Sequence, residues 1–123
     1  MISFENFTMT DDSPIYMQIL LHIKRGAVAG AIEDGDELPS RRMLSVLLGV
    51  NPNTVQKSYR MLEEEGLIRS HAGAKSCMVL SEQTIARIRE ELLEEDARRA
   101  VEKLRQMGVT MDEAFELIRR YWN

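Results

Sequence analysis

The sequence of 123 residues predicts a mainly helical protein with one small β-hairpin. Three observations support this prediction. Two segments with helical periodicity meet at Gly49, two short β-prone runs follow Gly66, and a long helical pattern follows Ser81. Glycine is typical of a helix end, because it accepts a left-handed backbone at little cost. The order of helix, turn, helix and hairpin is that of a winged helix-turn-helix, which we predict over residues 1–80, followed by a two-helix tail over 81–123.

A first helix is predicted to begin at Pro14, with Ser13 as its cap, and to end before Gly30. Isoleucines at four-residue spacing form its predicted buried stripe, which consists of Ile15, Ile19 and Ile23. Two alternatives remain open for the residues before this helix. Residues 1–12 form a loose arm, or residues 2–4 add a short strand beside the hairpin.

The two helices that meet at Gly49 are predicted from their caps. Ser40 suits the start of the first one. Asn51 suits the start of the second, because its side-chain oxygen can accept from a backbone N–H two or three residues on, and Pro52 fills the first helical position with its φ already set. The apolar residues of the first helix are expected to form one buried face, made of Met43, Leu44, Leu47 and Leu48.

The second of these helices is expected to run from Pro52 to about Glu65 with two unlike faces. One face is predicted to pack on the preceding helix and carries Val55, Tyr59 and Leu62. The opposite face carries hydrogen-bonding side chains, namely Asn53, Thr54, Gln56, Lys57 and Arg60. Amides can bond adenine with two hydrogen bonds, a threonine methyl can contact thymine, and cations can bond phosphate. This pattern is typical of a helix that enters the groove of double-stranded DNA.

Residues 14–80 resemble the winged-helix DNA-binding domain of the GntR family of bacterial transcription regulators. The residues that carry the resemblance are Pro14, Ile15, Tyr16, Gln18, Ile19, Gly35, Leu38, Pro39, Ser40, Arg42, Leu44, Gly49, Val50, Thr54, Val55, Tyr59, Leu62, Glu63, Gly66, Leu67, Ile68 and Gly73. Pro14 to Tyr16, Asn51 to Val55 and the short tail further resemble the YtrA subfamily. That resemblance implies a small helical dimerisation segment in place of a large effector domain.

The resemblance implies DNA contacts where this sequence matches the family, at Arg42, in the first turns of the second helix, and at Gly73 in the wing tip. Two departures matter. Pro52 stands where many members carry an arginine, which removes one guanine contact, and the wing tip lacks a second glycine, which makes His71 or Lys75 the residue to reach DNA there. The full set of predicted DNA-binding residues is Arg41, Arg42, Asn51, Asn53, Thr54, Gln56, Lys57, Arg60, His71, Gly73 and Lys75.

The charge of the chain is divided between two parts. The total is −4, which by itself argues against a nucleic-acid partner. Between Pro39 and Lys75, however, six basic residues accompany three acidic ones, which gives this segment +3 and leaves −7 for the rest. This separation is expected of a protein with one surface that meets DNA.

The tail is predicted to contain two amphipathic helices. Ser81 caps the first, Gly108 ends it, and Thr110 with Glu113 forms a capping box for the second. Two helices cannot bury such apolar stripes by themselves, so we expect a second copy of the chain to cover them in a twofold dimer. The predicted interface residues are Ile85, Ile88, Leu92, Val101, Leu104, Phe115, Ile118 and Trp122.

Several other classes are disfavoured by the sequence. No apolar run approaches the ~20 residues of a membrane-spanning helix, and the first residues of the sequence lack the basic and apolar segments expected of a signal peptide. The single Cys77 fits a reducing cytoplasm. We find no metal-ligand spacing, cofactor motif or catalytic pair, and we therefore expect neither a metal, nor a cofactor, nor an enzyme.

The sequence therefore predicts a cytoplasmic, homodimeric, DNA-binding transcription regulator, most simply a repressor of an inverted-repeat operator. Two alternatives stay open. In the first, the winged helix binds another protein instead of DNA. In the second, a small-molecule effector of unknown identity controls the release of DNA. We expect any effector site at the dimer interface or between tail and wing domain, because the tail is too short to enclose a typical pocket of ~300 Å³ or more.

Overall fold

A computed structural model describes residues 1–70 and 75–123, so the predictions for His71 and Gly73 lie outside the described residues. The elements are α1 (Ile15–Ala29), α2 (Arg41–Leu48), α3 (Pro52–Glu64), β1 (Ile68–Arg69), β2 (Cys77–Met78), α4 (Glu82–Gln106) and α5 (Met111–Trp122). This order confirms the predicted mainly helical class with a small antiparallel hairpin. The chain divides into two compact units, Met1–Arg89 and Glu90–Asn123.

Helix α1 begins one residue later than predicted. Pro14 itself occupies the cap position, with φ −60° and ψ 143°, and no side chain caps the helix. The predicted cap at Ser13 is therefore wrong, because Pro14 has the ψ of an extended residue and takes the cap position itself, although its ring-fixed φ would also suit a helix. The backbone carbonyl of Ser13 instead accepts from the Gln18 side chain at 2.7 Å. The predicted end at Gly30 is confirmed by its left-handed φ of 81°.

The caps of α2 and α3 are formed as predicted. The Ser40 hydroxyl accepts from the Met43 N–H at 3.0 Å, and Gly49 ends α2 with φ 67°. The Asn51 side-chain oxygen accepts from the Asn53 N–H at 2.8 Å, and Pro52 is the first residue of α3. These caps fix the lengths of both helices and the short turn between them.

Helix α3 lies at the centre of the N-terminal unit, where it packs against α1, α2 and β1. Its buried face consists of Val55, Ser58, Tyr59 and Leu62, which includes the three apolar residues predicted for it. Helix α1 contributes a second buried stripe, made of Ile19, Leu20, Ile23 and Ala27.

The predicted buried face of α2 is largely wrong. Leu44 is fully buried and Leu48 is half-buried, but Met43 is 48% exposed and Leu47 is 65% exposed. The small Ser45 is buried in their place. In a helix this short, apolar residues occupy most of the circumference, so helical spacing alone does not select the face that packs.

The hairpin pairs Ile68 with Met78 and Arg69 with Cys77. Glu37 forms an isolated antiparallel bridge with Cys77, and its carbonyl accepts from the Ile2 N–H at 2.8 Å. Ile2 and Phe4 are both buried, which excludes the alternative of a loose arm. The N-terminal segment is packed on the domain without forming a strand of its own.

The tail helices begin and end as the sequence predicts. The Ser81 hydroxyl accepts from the Thr84 N–H at 3.1 Å, and Gly108 follows α4 with φ 74°. The Thr110 hydroxyl accepts from the Glu113 N–H at 3.2 Å, so Thr110 caps α5. Among the described residues, no helix has both the length and the hydropathy to cross a membrane.

The two compact units meet further along the chain than the domain boundary that we predict after residue 80. The first two turns of α4 belong to the N-terminal unit, and Ile88 in them is only 1% exposed. The prediction of Ile88 as a dimer-interface residue is therefore wrong, because its side chain is already buried within one chain and offers no surface to a second copy.

Candidate nucleic-acid interface

The exposed face of α3 presents hydrogen-bonding side chains in its first three turns. Asn53, Gln56, Lys57 and Arg60 are exposed, and Thr54 is half-buried. The opposite face is buried against α1 and α2, so the helix cannot rotate to present another set. The structure therefore brings five of the predicted residues to one helix, on or beside its free face.

The start of α3 is also electrostatically suited to an anion. Its first turn contains no acidic residue, and its first backbone N–H groups point out of the helix end. The Asn51 side-chain oxygen accepts the cap bond, and its NH₂ group has both hydrogens available for a ligand. Asn51 thus holds the start of α3, and a DNA contact through its NH₂ group is compatible with that cap.

Helix α2 begins with two consecutive arginines that behave differently. Arg42 is exposed, whereas Arg41 is half-buried with its guanidinium carbon 5.2 Å from the centroid of the Tyr59 ring. Both arginines lie in the first turn of α2, at the positive end of the helix dipole, and this turn contains no acidic residue. Two positive charges beside a helix N-terminus attract an anion such as a phosphate.

The buried Tyr59 side chain of α3 lies against the start of α2. It is 1% exposed, and its hydroxyl donates to the Pro39 carbonyl at 2.7 Å. Burial raises the pKa of the Tyr59 phenol well above its ordinary range, against a smaller lowering by the nearby Arg41 charge. The hydroxyl therefore keeps its proton and remains a donor. The sequence predicted Tyr59 as a core residue and missed this second role.

The turn between α2 and α3 is closed by a residue that the sequence did not single out. The Ser45 hydroxyl donates to the Val50 carbonyl at 2.7 Å, and the Val50 N–H donates to the Ser45 carbonyl at 3.1 Å. Both bonds join the body of α2 to the residue just before the Asn51 cap. The sequence could have indicated this bond, because a serine hydroxyl in a helix often bonds a nearby backbone carbonyl.

The remaining predicted cations have close partners. The Lys57 ammonium lies 3.9 Å from the centroid of the Tyr16 ring. Arg60 lies 4.0 Å from Glu64, and Lys75 lies 3.5 Å from Glu37, both in exposed pairs. Such surface pairs contribute at most about 1 kcal/mol, so a phosphate can compete for these cations.

Comparison with known proteins assigns the family. Residues 15–76 match the model of the bacterial regulatory proteins of the gntR family, which is half of the chain. The chain belongs to the GntR family. That confirms the resemblance read from the sequence, and membership of a family of regulatory proteins confirms the prediction that the chain is not an enzyme.

Two curated GntR-type relatives come from Bacillus subtilis (strain 168). The uncharacterised HTH-type transcriptional regulator YhcF is 29% identical over 108 residues, which cover 88% of this chain and 89% of YhcF. The HTH-type transcriptional repressor YtrA is 44% identical over 61 residues, which cover 50% of this chain and 47% of YtrA. The predicted resemblance to YtrA is thereby confirmed.

A solved GntR family transcriptional regulator from Listeria monocytogenes has the same fold. It superposes with a TM-score of 0.79 at 27% identity, covering 91% of this chain and 98% of the regulator. The likeness therefore extends beyond the winged helix into the tail.

The tail of this GntR protein exposes most of its apolar side chains. Phe115 and Ile118 are each 49% exposed, and Val101 and Trp122 are exposed more fully. Ile85, Leu92 and Leu104 are half-buried. Seven of the eight predicted interface residues thus retain apolar surface in the single chain, and Ile88 is the exception.

The two tail helices border a partly open apolar groove of about 540 Å³. Its lining includes Val101, Leu104, Met111, Phe115 and Ile118. The expectation that one tail is too short to enclose a pocket stays a prediction, because this groove is partly open, although α4 and α5 both contribute side chains to it. In the part of the chain that the structure describes, no cluster of His, Cys, Asp or Glu is arranged to hold a metal ion.

Proposed function

We propose that this GntR-family regulator binds double-stranded DNA as a homodimer and represses transcription by occupying an inverted-repeat operator. The observation that carries the proposal is the free polar face of α3, which follows the capped turn of Asn51 and Pro52 and has no acid in its first turn. A helix held by its buried face against two others presents such a surface rigidly to a groove.

The exposed polar side chains of α2 and α3 fall into two groups by the DNA contacts that they suit. Asn53 and Gln56 carry amides, which pair with adenine through one donor and one acceptor. Lys57, Arg60 and Arg42 carry charges, which suit phosphates and give affinity without sequence preference. Specificity therefore rests on the amides, and most of the binding free energy rests on the cations.

Homodimerisation is supported by the exposed apolar face of the tail. Helix α5, over Met111–Trp122, has no buried residue in the single chain, although it contains Phe115, Ile118, Tyr121 and Trp122. An exposed apolar surface of this kind is typical of an interaction site. A twofold dimer through the tails would place two recognition helices about 34 Å apart or a multiple of that distance, which matches half-sites on one side of the duplex.

Repression and a cytoplasmic location complete the proposal. The named relative YtrA is a transcriptional repressor, and a DNA-binding protein can repress simply by covering a promoter. The bacterial chromosome lies in the cytoplasm, where a single free cysteine stays reduced.

The test begins with selection of bound duplexes from random DNA by the purified protein. An inverted repeat is expected. On the selected operator, Gln56→Ala should weaken binding by about 1–3 kcal/mol while leaving binding to random DNA unchanged. The matched control is Arg60→Gln, which should weaken both to the same extent and reduce the salt slope by about one. Equal losses on operator and random DNA for Gln56→Ala would contradict the proposal.

A second candidate function is a protein-interaction module. It is favoured by the outer face of α2, where Met43, Val46 and Leu47 are all exposed. Salt separates the two functions. DNA binding should weaken by orders of magnitude between low and moderate salt, whereas an apolar protein contact should change little.

A further inference from the structure

We propose that Tyr16 and Tyr59 are positioning residues of the DNA interface, each holding one phosphate-binding cation on the face of its ring. Tyr16 positions Lys57 of the recognition helix, and Tyr59 positions Arg41 at the start of α2. This inference rests on the proposed DNA binding and adds to it the residues that set the geometry of two cations.

The contact of Lys57 with Tyr16 joins α3 to α1. The ammonium nitrogen lies 3.9 Å from the ring centroid, well inside the range of a cation–π attraction. Tyr16 is half-buried at the start of α1, which packs directly on α3, so its ring is held in place by the core. Lys57 is exposed, and a free lysine on a helix surface samples many rotamers. The ring thus selects one direction for a side chain that would otherwise be mobile.

The contact of Arg41 with Tyr59 joins α2 to α3. The ring of Tyr59 is buried, and its hydroxyl is bonded to the Pro39 carbonyl, so the ring has no freedom to turn away. The Arg41 guanidinium carbon lies 5.2 Å from the ring centroid, and its Nε atom is buried with no hydrogen-bond partner among the described residues. A guanidinium that stacks on an aromatic face keeps its outer N–H edge available for a phosphate.

Both cations keep their charge available, whereas Lys24 and Lys75 of the same domain lie beside carboxylates. Lys24 lies 2.8 Å from Glu65, and Lys75 lies 3.5 Å from Glu37. Within the described residues, neither Arg41 nor Lys57 forms an ion pair with a carboxylate. A π face attracts a cation without neutralising it, so the two tyrosines fix the position of the charge and leave it free to meet an anion.

Holding a cation in advance removes part of the entropy loss that binding would otherwise require. Removal of a ring should therefore weaken DNA binding by about two- to fivefold, the range expected for one exposed cation–π contact. The number of phosphate contacts should not change, since the cation itself remains. Loss of affinity with an unchanged salt slope is the signature of a positioning residue.

The test is a double-mutant cycle on DNA affinity, using the full chain and a random-sequence duplex. Tyr16→Leu should weaken binding by about two- to fivefold with an unchanged salt slope. Lys57→Met should weaken binding and lower the slope by about one. In the Lys57→Met background, Tyr16→Leu should have no further effect. Tyr16→Phe is the matched control, because it keeps the ring and should bind like the unmodified protein.

Tyr59 needs a different design, because its removal from the core lowers stability. Tyr59→Phe keeps the ring and should retain DNA affinity while lowering the melting temperature. Tyr59→Leu and Arg41→Met form the corresponding cycle, measured at a temperature where circular dichroism shows each variant folded. If Tyr59→Leu does not fold, the cycle of Tyr16 and Lys57 decides the proposal alone.

The outcomes separate this inference from the function on which it rests. If the unmodified chain fails to bind any duplex at low salt, the proposed function is wrong. If it binds, but Tyr16→Leu either leaves affinity unchanged or weakens it equally in the presence and absence of the Lys57 ammonium, the ring has only a structural role and the inference is overturned.

Discussion

Two buried serines in neighbouring helices should respond in opposite directions to the same substitution. Ser45 in α2 is 7% exposed and donates to the Val50 carbonyl at 2.7 Å. Ser58 in α3 is fully buried, and its hydroxyl has no hydrogen-bond partner among the described residues. Replacement of each by alanine removes one oxygen atom from a helix, so the two variants are matched controls for each other.

The expected changes in the free energy of unfolding follow from whether each hydroxyl has a hydrogen-bond partner. Ser45→Ala loses a hydrogen bond and leaves the Val50 carbonyl without its hydroxyl donor, which costs about 1–3 kcal/mol, and the better helix propensity of alanine offsets about 0.5 kcal/mol of this. Ser58→Ala relieves an unpaired buried hydroxyl, which should stabilise the fold by about 1 kcal/mol or more. Each kcal/mol shifts the melting temperature by about 4–8 °C in a domain of roughly this size.

The assay is thermal unfolding followed by circular dichroism at one fixed protein concentration, repeated in urea to obtain the free energy of unfolding. We expect the melting temperature to fall for Ser45→Ala and to rise for Ser58→Ala. If Ser45→Ala is as stable as the unmodified protein, or if Ser58→Ala is less stable than Ser45→Ala, the reasoning that the Ser45 hydroxyl is paired and the Ser58 hydroxyl is unpaired is refuted.

Three further variants test other parts of the structure. Ile88→Ala should lower the free energy of unfolding by about 2–5 kcal/mol at every protein concentration, because it leaves a cavity inside one chain. A loss of stability that grows with dilution would show that Ile88 contacts the second copy of the chain. Asn51→Ala should cost about 1 kcal/mol in thermal unfolding through loss of the α3 cap, and no change would show that the cap bond is unimportant. Leu47→Gln should change the free energy of unfolding by less than about 0.5 kcal/mol, because the side chain is exposed. A large loss of stability would show that Leu47 is buried, as the sequence predicted.

Much of the fold could be predicted because local chemistry determines it. Ser40, Asn51 and Thr110 cap their helices through hydrogen bonds that span two or three residues. Gly49 and Gly66 adopt left-handed backbones at the predicted helix ends. Such features depend on neighbours in the sequence, so the sequence is sufficient to locate them.

The features that were missed depend on packing between distant segments. The exposure of Leu47 follows from which side of α2 meets α3, and the burial of Ile88 follows from the inclusion of the first turns of α4 in the N-terminal unit. The supports of the candidate interface were missed for the same reason. Tyr16 meets Lys57 only because α1 packs on α3, and no periodicity within either helix indicates that contact.

The exposed face of α3, presented twice by a dimer, is the central claim, and chemical footprinting on the selected operator tests it most directly. We expect saturating protein to protect two half-sites related by twofold symmetry, with major-groove contacts centred about 10–10.5 base pairs apart or at a multiple of that spacing. Protection of a single half-site, or of none at low salt, would contradict the claim.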